Sequence, residues 1–261
     1  MSLDIVFVHG MFMNPKSWGD WSKFFTAKGH RCHAPAWPFH EGEPSALRAS
    51  VPEGLGKLTL GEVVDALGKH VGGLGSKPVV VGHSMGGLIT QRLVAQGRAR
   101  AGVCIDSAPP KGVFTLSLSF LKSNLPVVNP LAGDAPYVMP PEHFHYTFCN
   151  TMTPDQSRAV YDAYVVPESR NVARGPTTDD GAIDFAKPHA PLLFIAGERD
   201  NIVPAALNRK NHAAYTDAGS RHDFKEFPGR THWICGQEGW EEVATFVAEW
   251  IASATSTSKS S

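Results

Sequence analysis

Short apolar runs recur along the chain, and each of them stops near a turn-forming residue. Four are nearly continuous and rich in β-branched or aromatic side chains, and two are weaker; they lie at 4–8, 77–81, 101–105 and 191–195, and at 31–36 and 223–227. A run that is apolar on both sides of the chain is typical of a strand buried on both faces of a parallel sheet. The pattern therefore predicts such strands, with weaker ones at the edges.

Segments with the period of an amphipathic helix separate these runs, at 16–28, 59–74, 85–96, 204–218 and 237–252. Thr59 with Glu62 three residues later forms a capping box, which marks the start of the second segment. Strands that alternate with helices of this length indicate βαβ units. We therefore predict an α/β fold with a mostly parallel sheet covered by helices on both faces, and a ligand at the carboxyl ends of its strands.

Two stretches break the alternation of strands and helices. Residues 37–58 have many glycines and little periodicity, and they predict a long loop. Residues 107–188 contain proline pairs and helical pieces at 114–121 and 154–165, and such a long interruption indicates an inserted helical cap. The predicted division is a core of 1–108 and 189–261 with a cap at 109–188. The small, polar tail at 253–261 is expected to fray.

Composition and charge narrow the class of protein. The 261 residues are 42% hydrophobic and 19% charged, which suits one folded domain with an insertion. The net charge is −1 and the pI is near 6.9, so no basic field is present that would attract nucleic acid. The partner that we expect is therefore a small molecule.

Cysteine usage and the amino terminus bear on the compartment. The four cysteines form no CxxC pair, so the sequence predicts neither a redox motif nor a thiolate metal site. Asp4 stands where a signal peptide would be basic, and the apolar run after it is too short to cross a membrane. We therefore expect a cytoplasmic protein without a membrane partner.

The most specific motif is Gly82-His-Ser84-Met-Gly86, which follows a predicted strand and opens a predicted helix. A serine on so sharp a turn takes strained backbone angles, and the residues two positions before and after it must lack side chains. The amino end of the following helix favours negative charge beside the serine. This placement indicates a nucleophilic serine rather than an ordinary strand-to-helix turn.

A nucleophilic serine needs a base, and the base needs an acid that orients it. His232 follows the last predicted strand, and Asp200 follows the strand at 191–195. Both would lie at the carboxyl edge of the sheet. The order serine, aspartate, histidine along the chain is typical of a serine on such a strand-to-helix turn, the nucleophile elbow. Asp106, which follows the strand at 101–105, is an alternative acid, and we favour Asp200.

These residues carry a resemblance to the α/β-hydrolase fold superfamily, in its capped serine esterase and lipase type. Nearly the whole chain takes part, through the His-Gly pair at 9–10, the elbow, the run at 197–204 and the Gly-x-x-His at 229–232. The resemblance implies that the backbone N–H groups of Met11 and Met85 form the oxyanion hole. Because Asp4 already enters the first strand, two earlier strands of the full family pattern have no room, and we expect about six strands.

The remaining histidines and aromatic residues admit a simpler interpretation. His83 is read as a packed neighbour of the sheet, and His143 with His145 as surface or cap residues, because no third metal ligand is evident. No metal or other cofactor is expected. Aromatic residues concentrate in the loops and the cap, which predicts an apolar group in the substrate.

The sequence therefore predicts a serine hydrolase that cleaves a small to medium apolar carboxylic ester or lactone through an acyl-enzyme on Ser84. Two alternatives stay open at this point. One is carbon–carbon bond hydrolysis or a lyase reaction on the same scaffold, since fold does not fix function. The other is a small-molecule receptor that uses the capped pocket. The sequence leaves the oligomeric state, the natural substrate and the acyl length open.

Overall fold

The computed structural model describes residues 2–256 and contains a six-stranded sheet in which every neighbouring pair is parallel. The order across the sheet is β2-β1-β3-β4-β5-β6. The strands are β1 Asp4–Val8, β2 Arg31–His33, β3 Val79–His83, β4 Ala101–Ile105, β5 Leu192–Gly197 and β6 His222–Phe227. The predicted α/β class and strand number are confirmed, and the weak run at 31–36 contributes only three residues at the sheet edge.

Helices cover both faces of the sheet and fill the segment between β4 and β5. They are α1 Gly19–Ala27, α2 Pro44–Ala49, α3 Leu60–Gly72, α4 Met85–Ala95, α5 Leu118–Val128, α6 Pro141–Phe148, α7 Pro154–Tyr164, α8 Arg170–Arg174, α9 Ala205–Ala214 and α10 Trp240–Thr255. Short 3-10 turns lie at Pro15–Trp18, Leu55–Lys57, Pro130–Ala132, Gly175–Thr177 and Asp179–Gly181. The capping box of Thr59 and Glu62 is present at the start of α3.

Alternate residues of the central strands enter two separate cores, because successive side chains of a strand point to opposite faces. Ile5 and Phe7 of β1 pack with Trp21 of α1 and with α10. Val6 and Val8 of the same strand pack on the other face, with α3, α4 and the segment between β4 and β5. This double burial explains why the strands are almost continuously apolar in the sequence.

Three predicted elements differ from the structure. Residues 37–58 are not one loop, since α2 begins with Pro44 at its first turn and a 3-10 turn follows. The helix predicted at 114–121 is α5 at 118–128, because the side chain of Ser117 accepts the Phe120 N–H and sets the start there. Helix α10 extends to Thr255, so it covers part of the tail predicted to fray, and residues 257–261 lie outside the described part of the chain.

The segment between β4 and β5 carries α5 to α8, as an inserted helical region would. We call residues 109–188 the cap segment, and the division into core and cap stays a prediction. His143 and His145 lie on helix α6, where residues two positions apart do not face each other. No helix of residues 2–256 is long and apolar enough to cross a membrane.

Candidate active site

The carboxyl ends of the central strands meet at one edge of the sheet, and the predicted site residues lie there. Strand pairing places Val8 beside Gly82 and His83 beside Ile105. The loop after β1 (residues 9–14, the β1 loop), the elbow and the loop after β4 therefore lie next to one another. The parallel sheet thus brings together segments that are distant along the chain.

Ser84 occupies the elbow between β3 and α4 with φ 56 and ψ −120. A non-glycine residue rarely takes a positive φ, and such strain persists only where neighbours fix the backbone. The Ser84 N–H donates to the Ile105 carbonyl at 2.9 Å, and the Ser84 carbonyl accepts from Gly87 and Ala108. The serine is 8% exposed and lines a cavity. The backbone around it is held rigidly in the geometry that the motif predicts.

The two glycines of the motif are required by contact with backbone. A methyl group added at Gly86 would collide with the carbonyl oxygens of Val8 and His9, and one added at Gly82 would collide with Gly86. Backbone cannot move aside as a flexible side chain can. The elbow therefore closes directly onto the end of β1.

We expect Gly86→Ala to lower the free energy of unfolding by about 3 kcal/mol, because the core must shift to admit the methyl group. Gly72→Ala on α3 is the matched control. Nothing lies within 4 Å of a methyl group added there, so stability should stay unchanged or rise by up to about 1 kcal/mol. Urea unfolding of both variants checks this, and a Gly86→Ala protein as stable as the parent would contradict the packing argument.

Asp200 and His232 form a buried pair. The Nδ1 atom of His232 lies 2.6 Å from Oδ2 of Asp200, and the two side chains are fully buried. The other carboxylate oxygen of Asp200 accepts the N–H groups of Ile202 at 2.7 Å and Val203 at 2.8 Å. Because the carboxylate can only accept, His232 carries its proton on Nδ1 and leaves Nε2 free to accept one.

Burial sets the protonation of this pair. It lowers the pKa of His232 below its usual 6.5, so the imidazole is neutral at neutral pH. Burial raises the pKa of Asp200, and the N–H groups of Val203 and Ile202 act in the opposite direction. The site therefore offers a neutral imidazole that a carboxylate orients.

Ser84 directly follows His83 in the chain, and its hydroxyl makes no hydrogen bond to His232 in the structure. The link is made by His83, whose Nε2 donates to the His232 carbonyl at 2.8 Å and whose ring centroid lies 4.6 Å from that of His232. Phe148 of α6 covers the His232 ring, with 4.7 Å between centroids. Within residues 2–256, Nε2 of His232 has no partner. His83 thus packs against the His232 imidazole, a contact that the sequence does not predict.

Met85 directly follows Ser84, and Met11 lies in the β1 loop. Both line the same cavity as the serine. In the described part of the chain, no hydrogen bond is recorded for the N–H of Met11, or for that of Met85 at the start of α4. Two backbone donors next to a strained serine are what binding of a developing oxyanion requires.

Asp106, the alternative acid, also lies in this cluster. One ring nitrogen of His83, one of His232 and one carboxylate oxygen of Asp106 lie within 4.8 Å of one another. The Oδ1 atom of Asp106 accepts the Gly197 N–H at 2.7 Å, and Oδ2 has no partner among the described residues. Burial and the neighbouring Asp200 raise the pKa of Asp106. Asp200 accepts more hydrogen bonds than Asp106, which favours the ionised form at Asp200 over that at Asp106.

A cavity of about 730 Å³ opens in front of Ser84, between the sheet edge and the cap segment. Its walls are mostly apolar side chains, including Phe12, Phe148, Val113 and Ala173. Phe114 lines the cavity and is 68% exposed, so the cavity reaches solvent past an apolar rim. Such a volume is ordinary for a small-molecule site.

Two buried charged residues near the site were not singled out from the sequence. Glu168, in the cap segment, is fully buried, and its carboxylate lies 3.1 Å from Nε2 of His40. Neither residue belongs to a motif or to a periodic apolar face. Only the folded chain brings them together, 128 positions apart.

Comparison with known proteins supports the fold. The sequence profile of the alpha/beta hydrolase family matches residues 5–246. No curated protein sequence matches significantly. Among solved structures, a monoacylglycerol lipase from Paleococcus ferrophilus is 19% identical, with a TM-score of 0.69 over 97% of this chain and 95% of the other.

Two further solved structures are similar to this chain, and their names do not include the word lipase. An extracellular alpha/beta-hydrolase from a Paenibacillus species is 19% identical, with a TM-score of 0.70 over 95% of this chain and 98% of the other. Tomato methylketone synthase I, solved in complex with 2-tridecanone, is 13% identical, with a TM-score of 0.72 over 97% of this chain and 99% of the other. At such identities the likeness concerns the fold. Since the family profile covers most of the sequence, the chain belongs to the alpha/beta hydrolase family.

Proposed function

We propose that this protein is a serine hydrolase that cleaves a small to medium apolar carboxylic ester or lactone and uses no metal or cofactor. The observation that carries the proposal is the strained Ser84 at the wall of an apolar cavity. The buried pair of Asp200 and His232 supports it, because the pair leaves Nε2 of a neutral imidazole available as a base. The lipase among the similar structures is consistent with ester chemistry.

The reaction proceeds through an acyl-enzyme. Nε2 of His232 takes the hydroxyl proton of Ser84 while the serine oxygen attacks the carbonyl carbon. Asp200 accepts from Nδ1 throughout and stabilises the imidazolium that forms. His232 then gives its proton to the leaving alcohol as the tetrahedral intermediate collapses. A water molecule, deprotonated by the same nitrogen, attacks the acyl group and releases the acid and the serine.

The negative charge that develops on the carbonyl oxygen is held by the N–H groups of Met11 and Met85. Each such donor contributes roughly 3 kcal/mol to lowering the barrier. The amino end of α4 adds its positive dipole at the same point. Because both roles use backbone, the methionine side chains matter here only through packing.

The cavity limits the substrate class. Its lining offers few polar groups. Lys111 at its border is already paired with Asp179 at 2.7 Å, and the Arg174 guanidinium, also in the lining, donates to the backbone carbonyls of residues 128, 129 and 133. A substrate with a charged acyl group would lose hydration without gaining a partner. An aliphatic or aromatic acyl chain gains from burial instead, at about 25 cal/mol per Å².

We expect hydrolysis of nitrophenyl esters to show an optimum at intermediate chain length. Ala173→Leu, which adds volume to the cavity wall, should lower kcat/KM for the longest esters that the parent accepts by about tenfold and shift the optimum to shorter chains. The acetate ester is the internal control and should be hydrolysed at the parental rate. An unchanged profile would show that the acyl group binds elsewhere.

The same assays separate the proposal from the alternatives. Absence of ester hydrolysis together with Ser84-dependent conversion of a diketone or a cyanohydrin would replace it by carbon–carbon cleavage or a lyase reaction. Binding of a small apolar ligand without turnover would indicate a receptor. Ester turnover that depends on Ser84 is the expected result.

A further inference from the structure

A buried pair of ionisable side chains supports the β1 loop and has no part in the proposed reaction. His40 is 1% exposed and Glu168 is fully buried. Nε2 of His40 lies 3.1 Å from Oε2 of Glu168. A buried charge pair is costly to desolvate and contributes little net stability, so its presence calls for a reason other than stability.

The hydrogen bonds show which form the pair takes. Nδ1 of His40 lies 2.9 Å from the Pro38 carbonyl, which can only accept, so Nδ1 carries a hydrogen. The Glu168 carboxylate accepts the N–H groups of Ser169 at 2.7 Å and Phe12 at 3.3 Å. Beside an ionised Glu168, both imidazole nitrogens face an acceptor, and the ring is then an imidazolium. Burial alone would lower the pKa of His40, and the Glu168 carboxylate more than offsets this and raises it.

The ionisable groups that face the His40 ring are Glu168 and His9. The ring centroids of His9 and His40 are 5.4 Å apart, and Trp37 covers both rings. Nδ1 of His9 donates to the Gly10 carbonyl at 2.9 Å, and Nε2 accepts the Trp37 N–H at 3.3 Å, which fits a neutral ring. Burial and the nearby His40 lower the pKa of His9. With Glu168 ionised, the cluster holds one positive and one negative charge.

The carboxylate acts on a strained residue of the β1 loop. Phe12 has φ 65, a left-handed conformation that costs a bulky residue about 1–3 kcal/mol. Its N–H donates to Glu168, and its carbonyl accepts the Val166 N–H at 3.0 Å. The cap segment thus holds both polar groups of Phe12. The residue directly before Phe12 is Met11, whose N–H the proposed reaction uses.

We propose that Glu168, paired with His40, is a positioning residue for the oxyanion hole: its carboxylate fixes the left-handed turn at Phe12 and thereby holds the Met11 N–H towards the oxyanion. This inference rests on the proposed function, because the role of Met11 belongs to it. It also assigns a task to the cap segment beyond covering the cavity. The cap segment completes the geometry of the catalytic loop.

The test compares Glu168→Gln with a matched control, Asp4→Asn. Asp4 is also a buried carboxylate paired with a histidine: it lies 3.0 Å from Nε2 of His33 and accepts from Arg31. It lies at the start of β1, at the other end of the strand from the β1 loop. Both oxygens of Glu168 accept backbone N–H groups, from Ser169 and Phe12, and an amide has only one acceptor, so Glu168→Gln sets a donor against one of them. We expect kcat for a nitrophenyl ester to fall about 10- to 100-fold with KM changed by less than about threefold, since loss of a whole oxyanion donor costs ~10²–10³-fold. Asp4→Asn should keep the parental kcat.

Two further readouts separate positioning from general destabilisation. A boronic acid that mimics the tetrahedral intermediate should bind Glu168→Gln more weakly by the same factor as kcat/KM falls. Amide hydrogen exchange of a peptide covering 10–13 should be faster in Glu168→Gln than in the parent, and unchanged in Asp4→Asn. The exchange measurement needs no turnover, so it tests the positioning role of Glu168 even if the parent hydrolyses no ester. A parent without ester hydrolysis would refute the proposed function and leave the positioning role to be decided by exchange.

Parental kcat in Glu168→Gln, or a loss that matches only its unfolded fraction, would overturn the inference. Unchanged exchange at 10–13 would overturn it equally. If Glu168→Gln does not fold, His40→Gln provides the second variant, because it leaves the carboxylate in place without its charge partner. Faster exchange at 10–13 in His40→Gln would support the same assignment, and exchange at the parental rate there would overturn it.

Discussion

Replacing Ser84 by alanine is expected to lower kcat for a nitrophenyl ester by at least ~10⁴-fold, because the acyl-enzyme can no longer form. What activity persists would come from the oxyanion donors and from binding alone. The fold should be retained, since the Ser84 hydroxyl makes no hydrogen bond within residues 2–256 and the elbow is held by backbone contacts. Circular dichroism and the melting temperature check that the variant is folded.

Ser157→Ala is the matched control for this substitution. It removes a buried hydroxyl on α7 from a side chain that does not line the cavity. Its kcat should equal that of the parent. Ester hydrolysis by a folded Ser84→Ala protein at more than a hundredth of the parental rate would refute Ser84 as the nucleophile.

The second large effect concerns the acid. Asp200→Asn should lower kcat by ~10⁴-fold, because an amide in place of the carboxylate favours the wrong tautomer of His232 and leaves the imidazolium without its counter-charge. Asp106→Asn should lower kcat by less than about tenfold. Burial and Asp200 raise the pKa of Asp106, which favours its neutral form, and the amide oxygen of asparagine can still accept the Gly197 N–H.

Each of these two substitutions serves as the control for the other, since both replace a fully buried carboxyl group in the same cluster. The ester assay at pH 7 is the measurement. A larger loss in Asp106→Asn than in Asp200→Asn would reverse the assignment of the acid. If both variants lose activity in proportion to the fall in their melting temperatures, unfolding explains the loss instead.

Sequence patterns predict the architecture well because burial on both faces makes each strand a continuous apolar run. Ala101–Ile105 and Asp4–Val8 coincide with the predicted strands for this reason. The edge strand β2 is half-exposed, and its pattern predicts only its position. The start of α5 was misplaced because a single side chain, Ser117, decides it.

In the candidate site, too, some residues are predictable from local sequence and others are not. Ser84 carries a local signal, because the glycines around it are forced by close backbone contact. Glu168 and His40 carry none, since a buried glutamate is indistinguishable in sequence from an exposed one. The positive φ of Phe12 is equally hidden, because it is imposed by contacts with the cap segment. Long-range hydrogen bonds of this kind are visible only in the folded chain.

The most direct test of the central claim is covalent labelling with a fluorophosphonate probe, followed by mass spectrometry of the intact protein and of its peptides. The proposed mechanism predicts one label per chain on the peptide that contains Ser84, and no label on Ser84→Ala. The Ser157→Ala protein should label at the parental rate. A folded parent that takes up no label, or one labelled at another residue, would contradict the assignment of Ser84 as an activated nucleophile.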